Sequence, residues 1–127
     1  MFRGRAPRSE YWWFYLFTVI VGLVGEAIDY ITGFGVAATG FSFAFLAPTL
    51  AAGARRLHDS NVTGWWQALP LAGTPFFFIS INAGIIAILI LSIGLLYLLV
   101  RRGTEGDNRF GPDPLRGPSE RLESVFR

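Results

Sequence analysis

Two long apolar stretches, Tyr11–Ala54 and Trp65–Val100, run through this chain without a single Lys or Arg. Each is too long for one bilayer crossing and about right for two. A helix rises ~1.5 Å per residue and the hydrocarbon core is ~30 Å thick, so one crossing takes ~20 residues. The pattern predicts four spans: Tyr11–Ile31, Val36–Ala54, Trp65–Ile81 and Gly84–Val100. Thr32-Gly33-Phe34-Gly35 reads as the first outer turn, and Asn82 with Gly84 as the second. Arg55–Gly64 reads as a polar inner loop in which Asp59-Ser60-Asn61 turns the chain and Thr63 caps the next helix. Pro48 predicts a kink in the second span, and Pro70 and Pro75 predict kinks in the third. Residues 1–114 form one membrane domain; residues 115–127 form a tail with a brief surface helix expected at Ser119–Arg127.

Charge orients this pattern. Every basic residue is Arg, and all eleven fall in three groups: Arg3 to Arg8, Arg55–Arg56, and Arg101 to Arg127. An even number of crossings between groups puts every Arg on one side, as the positive-inside rule asks of short loops. The fold class is therefore all-α integral membrane, a four-span helical bundle with both termini cytoplasmic. Tyr11, Trp12, Trp13 and Tyr15 at the inner end of the first span and Tyr30 at its outer end match an aromatic belt. The alternative is three spans plus a re-entrant or interfacial helix over Trp65–Thr74. It places Arg101 to Arg127 outside, against the charge bias.

Composition agrees with a membrane protein. The 127 residues are 52% hydrophobic and only 16% charged, against about a quarter in soluble domains. The net charge of +2 follows from the positive-inside bias, so no nucleic-acid partner is invoked. With no Cys there is no disulfide and no thiolate chemistry, and a single His completes no metal site. No cofactor is expected.

Three features carry candidate chemistry. In the second span, Ala37, Gly40, Ala44, Ala47, Ala51 and Ala54 form a seam of small residues on one face. Such a seam lets helices approach closely in lipid. It marks either the centre of the chain's own bundle, the favoured reading, or a homo-oligomer interface. Glu26 and Asp29 are the only acids inside an apolar stretch and share a helix face. An intramembrane acid is a functional candidate; Asp29 is expected to reach the outer headgroup layer, and Glu26 to pair with Thr39 or Ser42. Finally, Arg55-Arg56-Leu57-His58-Asp59 leads into Trp65–Trp66, the densest polar run followed by an interfacial anchor. His58 as a base oriented by Asp59 is disfavoured because adjacent residues rarely orient one another so.

Phe2-Arg3-Gly4-Arg5 with Arg8, Glu10, Tyr11 and Trp12, then Arg55-Arg56-Leu57-His58-Asp59 and Thr63-Gly64-Trp65-Trp66, open a longer pattern. Gly103-Thr104, Gly106 and Asn108-Arg109-Phe110-Gly111-Pro112-Asp113-Pro114 complete it. Taken in order, these segments resemble the small bacterial inner-membrane proteins of the domain of unknown function 805, YhaH-like. The resemblance spans residues 2 to 114. It implies a helical inner-membrane fold and no particular activity.

All the motif segments fall at the cytoplasmic face of the four-span arrangement, where they would form one polar cap. Its residues are Arg3, Arg5, Arg8, Glu10, Arg55, Arg56, His58, Asp59, Trp65, Asn108, Arg109 and Asp113. The expected function is that of a non-enzymatic membrane protein embedded in phospholipid, its cap meeting anionic headgroups or a partner protein. The alternative is a small oligomeric transporter or channel using Glu26 as its intramembrane polar site.

Overall fold

The computed structural model describes residues 2–115. The expected surface helix at Ser119–Arg127 lies outside them. The described chain is helical: α1 (Arg8–Thr32), α2 (Ala37–Asp59), a 3-10 helix (Gly64–Phe78) and α3 (Ile81–Val100), then an irregular segment to Leu115. The three α-helices are each long and apolar enough to cross a bilayer.

α1 and α2 form the first hairpin. α1 stops at Gly33, whose φ of 74° is open to glycine at little cost. The Gly33 N–H closes on the Asp29 carbonyl at 2.8 Å. Further along, Gly25 lets α2 approach, since a Cβ there would lie 2.8 Å from the Ala38 backbone. Phe17 and Phe45 meet edge to face at 5.7 Å. α1 therefore lies on the Ala38–Phe41–Phe45 stripe of α2, not on the small-residue seam. Along the seam, Gly40, Ala44 and Ala47 are exposed and only Ala51 and Ala54 are buried. This corrects the expectation of a seam running through the bundle's centre. The Phe rings offer α1 more contact surface than a row of methyls does.

The second hairpin pairs the 3-10 helix with α3. Leu69 lies against Gly94, Gly73 against Ile88, and Phe77 against Gly84, an antiparallel register. The segment expected as the third span is helical, wound as a 3-10 helix where kinked α-helix was expected. Length supplies a reason. Both ends of this hairpin return to the same end of the molecule, so its two arms must cover the same distance. The 20 residues of α3 reach about 30 Å at 1.5 Å per residue. The 15 residues of the 3-10 helix reach about 30 Å at 2.0 Å per residue, but would reach only about 22 Å as α-helix. Pro70 and Pro75 help by withholding two N–H donors from an α-helical ladder. In the α pattern Leu71 O would look to the missing N–H of Pro75; here it accepts the Thr74 hydroxyl at 2.7 Å. Ser80 starts α3, its hydroxyl accepting the Ala83 N–H at 3.1 Å.

The buried core sits at one end. Ala6, Tyr11, Ala51, Ala52, Ala54, Leu57 and Leu99 are its apolar members. Trp12, Phe14, Val62, Leu95 and Leu98 pack around it. The two hairpins are joined here, while most large apolar side chains farther along the helices are exposed, as lipid contact requires.

Candidate functional site

α2 does not end at Ala54 but continues through Asp59, so Arg55 to Asp59 are helical where a loop was expected. Asn61, at φ 58°, then reverses the chain. The extra turns put Arg56 and Asp59 three apart on one face, where they pair at 2.7 Å. The other Asp59 oxygen meets Arg5 of the N-terminal arm at 3.0 Å. Arg5, Arg56 and Asp59 are all buried.

Two guanidiniums thus share one carboxylate, and the surplus positive charge is met by carbonyls. Arg56 Nε donates to Leu99 O at 2.9 Å, and its Nη2 donates to Arg101 O. Arg5 donates to Gly106 O at 2.6 Å and to Thr104 O at 2.7 Å. Leu99 and Arg101 mark the C-terminal end of α3, the negative pole of its dipole. Around the triad, the Thr104 N–H and hydroxyl donate to Asp59 O at 2.7 and 3.0 Å, and Ala6 N donates to Arg55 O at 2.9 Å. Buried charges are tolerated only when paired and hydrogen-bonded in this way. Three segments far apart in sequence are clasped as a result.

The remaining cap residues surround the clasp. His58 Nδ1 lies 3.0 Å from Gly4 O. A carbonyl only accepts, so the Nδ1 proton is assigned by this contact. The imidazole stacks on Phe110 with centroids 4.0 Å apart and planes within 2°. Arg109 lies 4.7 Å over the Phe110 ring and donates to Asn61 O at 3.2 Å. Asn108 donates to His58 O at 2.9 Å, and Asp113 accepts the Gly106 N–H at 2.9 Å. Glu10 pairs with Arg55 at 3.3 Å in a partly exposed position. Arg3, Arg8, Arg102, Arg109 and Trp65 are exposed around the rim. His58 and Asp59, adjacent in sequence, face different partners and form no acid–base pair.

The two acids of the first apolar stretch do different things. Asp29 accepts the Ala37 N–H at 2.7 Å and the Ala38 N–H at 2.9 Å, capping α2 from the end of α1. It thereby satisfies two orphan donors at a positive helix pole. Glu26 is exposed on α1. The Ser42 hydroxyl donates instead to its own helix at Ala38 O, 2.9 Å away.

Gly103, Thr104 and Phe110 belong to the cap although the residue chemistry alone did not single them out. Gly103 presses so closely on Asp59 that a Cβ would fall inside the carboxylate. The available signal was their place in the Gly103-Thr104 and Asn108–Phe110 motif segments. Two cavities adjoin the cap: a polar one of about 280 Å³ beside Asp59, Gly103 and Thr104, and a largely apolar groove of about 610 Å³ beside His58 and Trp65. Glu26 lines neither.

The clasp unites the segments that carry the resemblance, and comparison with known proteins gives the same grouping. The family model described as "Protein of unknown function (DUF805)" matches residues 1–112. Inner membrane protein YhaH of Escherichia coli (strain K12) is 36% identical over 126 residues, covering 92% of this chain and 89% of the relative. Inner membrane protein YhaI of the same strain is 37% identical over 121 residues, covering 91% and 87% respectively. No solved structure matches. With its spanning helices and these relatives, the chain is a multi-pass inner-membrane protein and belongs to the DUF805 family.

Proposed function

We propose that this is a non-enzymatic protein that crosses the inner membrane four times with both termini in the cytoplasm. In this reading the Arg5–Asp59–Arg56 clasp locks the inner ends of two hairpins together. The arginines it leaves outside then engage anionic lipid headgroups. The observation that carries the proposal is the division of labour among the arginines. Arg5 and Arg56 are buried and committed to Asp59, whereas Arg3, Arg8 and Arg109 stand exposed at the same end. Exposed guanidiniums near an anionic leaflet are attracted by about 1 kcal/mol each, and salt screens that attraction. Thermal unfolding in nanodiscs tests it. Phosphatidylglycerol should raise the melting temperature above that in phosphatidylcholine, and high salt or replacing Arg3, Arg8 and Arg109 together by Gln should abolish the gain. Equal stability in the two lipids defeats the proposal.

A second reading, the oligomeric transporter or channel, rests on Glu26, a carboxylate exposed on an apolar helix. It requires proton or cation flux into liposomes that Glu26→Gln removes.

A further inference from the structure

The apolar groove has a direction. His58, Ala54 and Leu50 line it at four-residue intervals along α2, with Ala68 and Trp65 opposite. It therefore runs about 12 Å from the cap into the apolar body of the molecule. His58 and Thr63 lie at its cap end, and Gln67 farther in already donates its amide N–H to Leu50 O and Gly64 O at 3.0 and 3.2 Å. The Nδ1 proton of His58 is committed to Gly4 O, 3.0 Å away, which leaves Nε2 as the ring nitrogen available to a ligand. The ring cannot easily turn away, because Phe110 stacks on it at 4.0 Å. Thr63 also lines the groove, and its side chain makes no cap bond to the 3-10 helix. Arg109 does not line the groove but lies exposed 4.7 Å from the ring of Phe110, which does, and so brings positive charge beside its cap end.

A site with a cation and hydrogen-bonding groups at one end and hydrocarbon walls beyond suits a chain-bearing anionic amphiphile. A bare phosphate would leave the apolar walls uncovered, and a pure hydrocarbon would leave His58 Nε2 and Thr63 Oγ1 without partners. We infer that the groove holds one anionic phospholipid drawn from the bilayer. Its phosphate lies beside Arg109, its glycerol or headgroup oxygens meet His58 and Thr63, and one acyl chain follows Ala54, Leu50 and Ala68. This deepens the headgroup reading above and rests on it: that reading needs only a diffuse preference for anionic lipid, whereas the groove demands one molecule at one place.

Native mass spectrometry of the detergent-purified full chain tests the inference by titrating phosphatidylglycerol, phosphatidylcholine with the same chains, and chainless glycerol phosphate. Ala68→Trp and Leu50→Trp fill the groove from opposite walls, and both positions are exposed, so the added bulk need not disturb the core. Wild type should retain one phosphatidylglycerol and bind phosphatidylcholine about tenfold more weakly, a factor worth about 1.4 kcal/mol. Each folded variant should lose the retained lipid, and glycerol phosphate should not bind. Anionic preference that survives both substitutions overturns the groove and leaves the headgroup reading standing. Equal binding of the two lipids by wild type, lost in both variants, overturns the anionic part and the headgroup reading with it. Retention of glycerol phosphate overturns the requirement for a chain.

Discussion

Arg5 and Asp59, 54 residues apart in sequence, meet at 3.0 Å with side chains only 1% and 6% exposed. A pair so far from solvent behaves differently from the more exposed pairs, Glu10–Arg55 at 3.3 Å and Arg102–Glu105 at 3.4 Å. Those contribute about 0–1 kcal/mol each. Breaking a buried pair strands a charge and costs about 3–5 kcal/mol. Asp59→Asn strands two guanidiniums together. It should lower the melting temperature by several degrees and open the segment around residue 60 to protease, whereas Glu10→Gln should change neither.

Gly103→Ala should mimic that loss without touching a charge. The new methyl would occupy the space of the Asp59 carboxylate. Either the carboxylate leaves its two arginines or the chain after α3 moves, and the backbone bond from Thr104 N to Asp59 O breaks with it. The expected melting temperature lies near that of Asp59→Asn, and the double variant should be no worse than the poorer single one.

The small-residue seam of α2 is closely packed only at the end next to the clasp. Ala51 is fully buried, so Ala51→Leu should overpack the core at a cost of about 1–3 kcal/mol. Ala47 is exposed, and Ala47→Leu should leave thermal stability in detergent unchanged. Equal losses at both sites would place a second surface against the outer half of the seam.

Asp29→Ala should uncap α2. The expected readout is local: faster amide hydrogen exchange at Ala37 and Ala38, with protection around Ala51 and Leu57 retained. A fall in melting temperature should be smaller than that of Asp59→Asn, because the lost bonds lie at a helix end remote from the core.

Topology can be checked by fusing a reporter active only in the cytoplasm to either end. Arg5 bonds to Thr104 and Gly106, so the N-terminal arm and the segment after α3 share one end of the molecule. Both fusions should therefore give the same signal, and the arginine distribution says that both should be active.

Much of this protein was readable in the chain because lipid imposes its demands residue by residue. A crossing must be apolar along its whole length whatever its neighbours are, so Tyr11–Ala54 and Trp65–Val100 announced their helices through composition. Gly33 marked a turn because its conformation is local, and among the described residues the arginine groups gather at one end because the positive-inside bias acts on each group alone. Tertiary structure decided what depends on distant partners. The 3-10 winding of Gly64–Phe78 matches the length of α3 as well as its own prolines. Asp29 became a cap because α2 begins beside it, and α1 chose the Phe41–Phe45 stripe over the small-residue seam. In the clasp only Arg56 and Asp59 are related by helical spacing; Arg5 and Thr104 join them from segments whose relation no periodicity encodes. Burial selects that pairing, because a guanidinium removed from water must find a carboxylate or carbonyl wherever the fold has brought one.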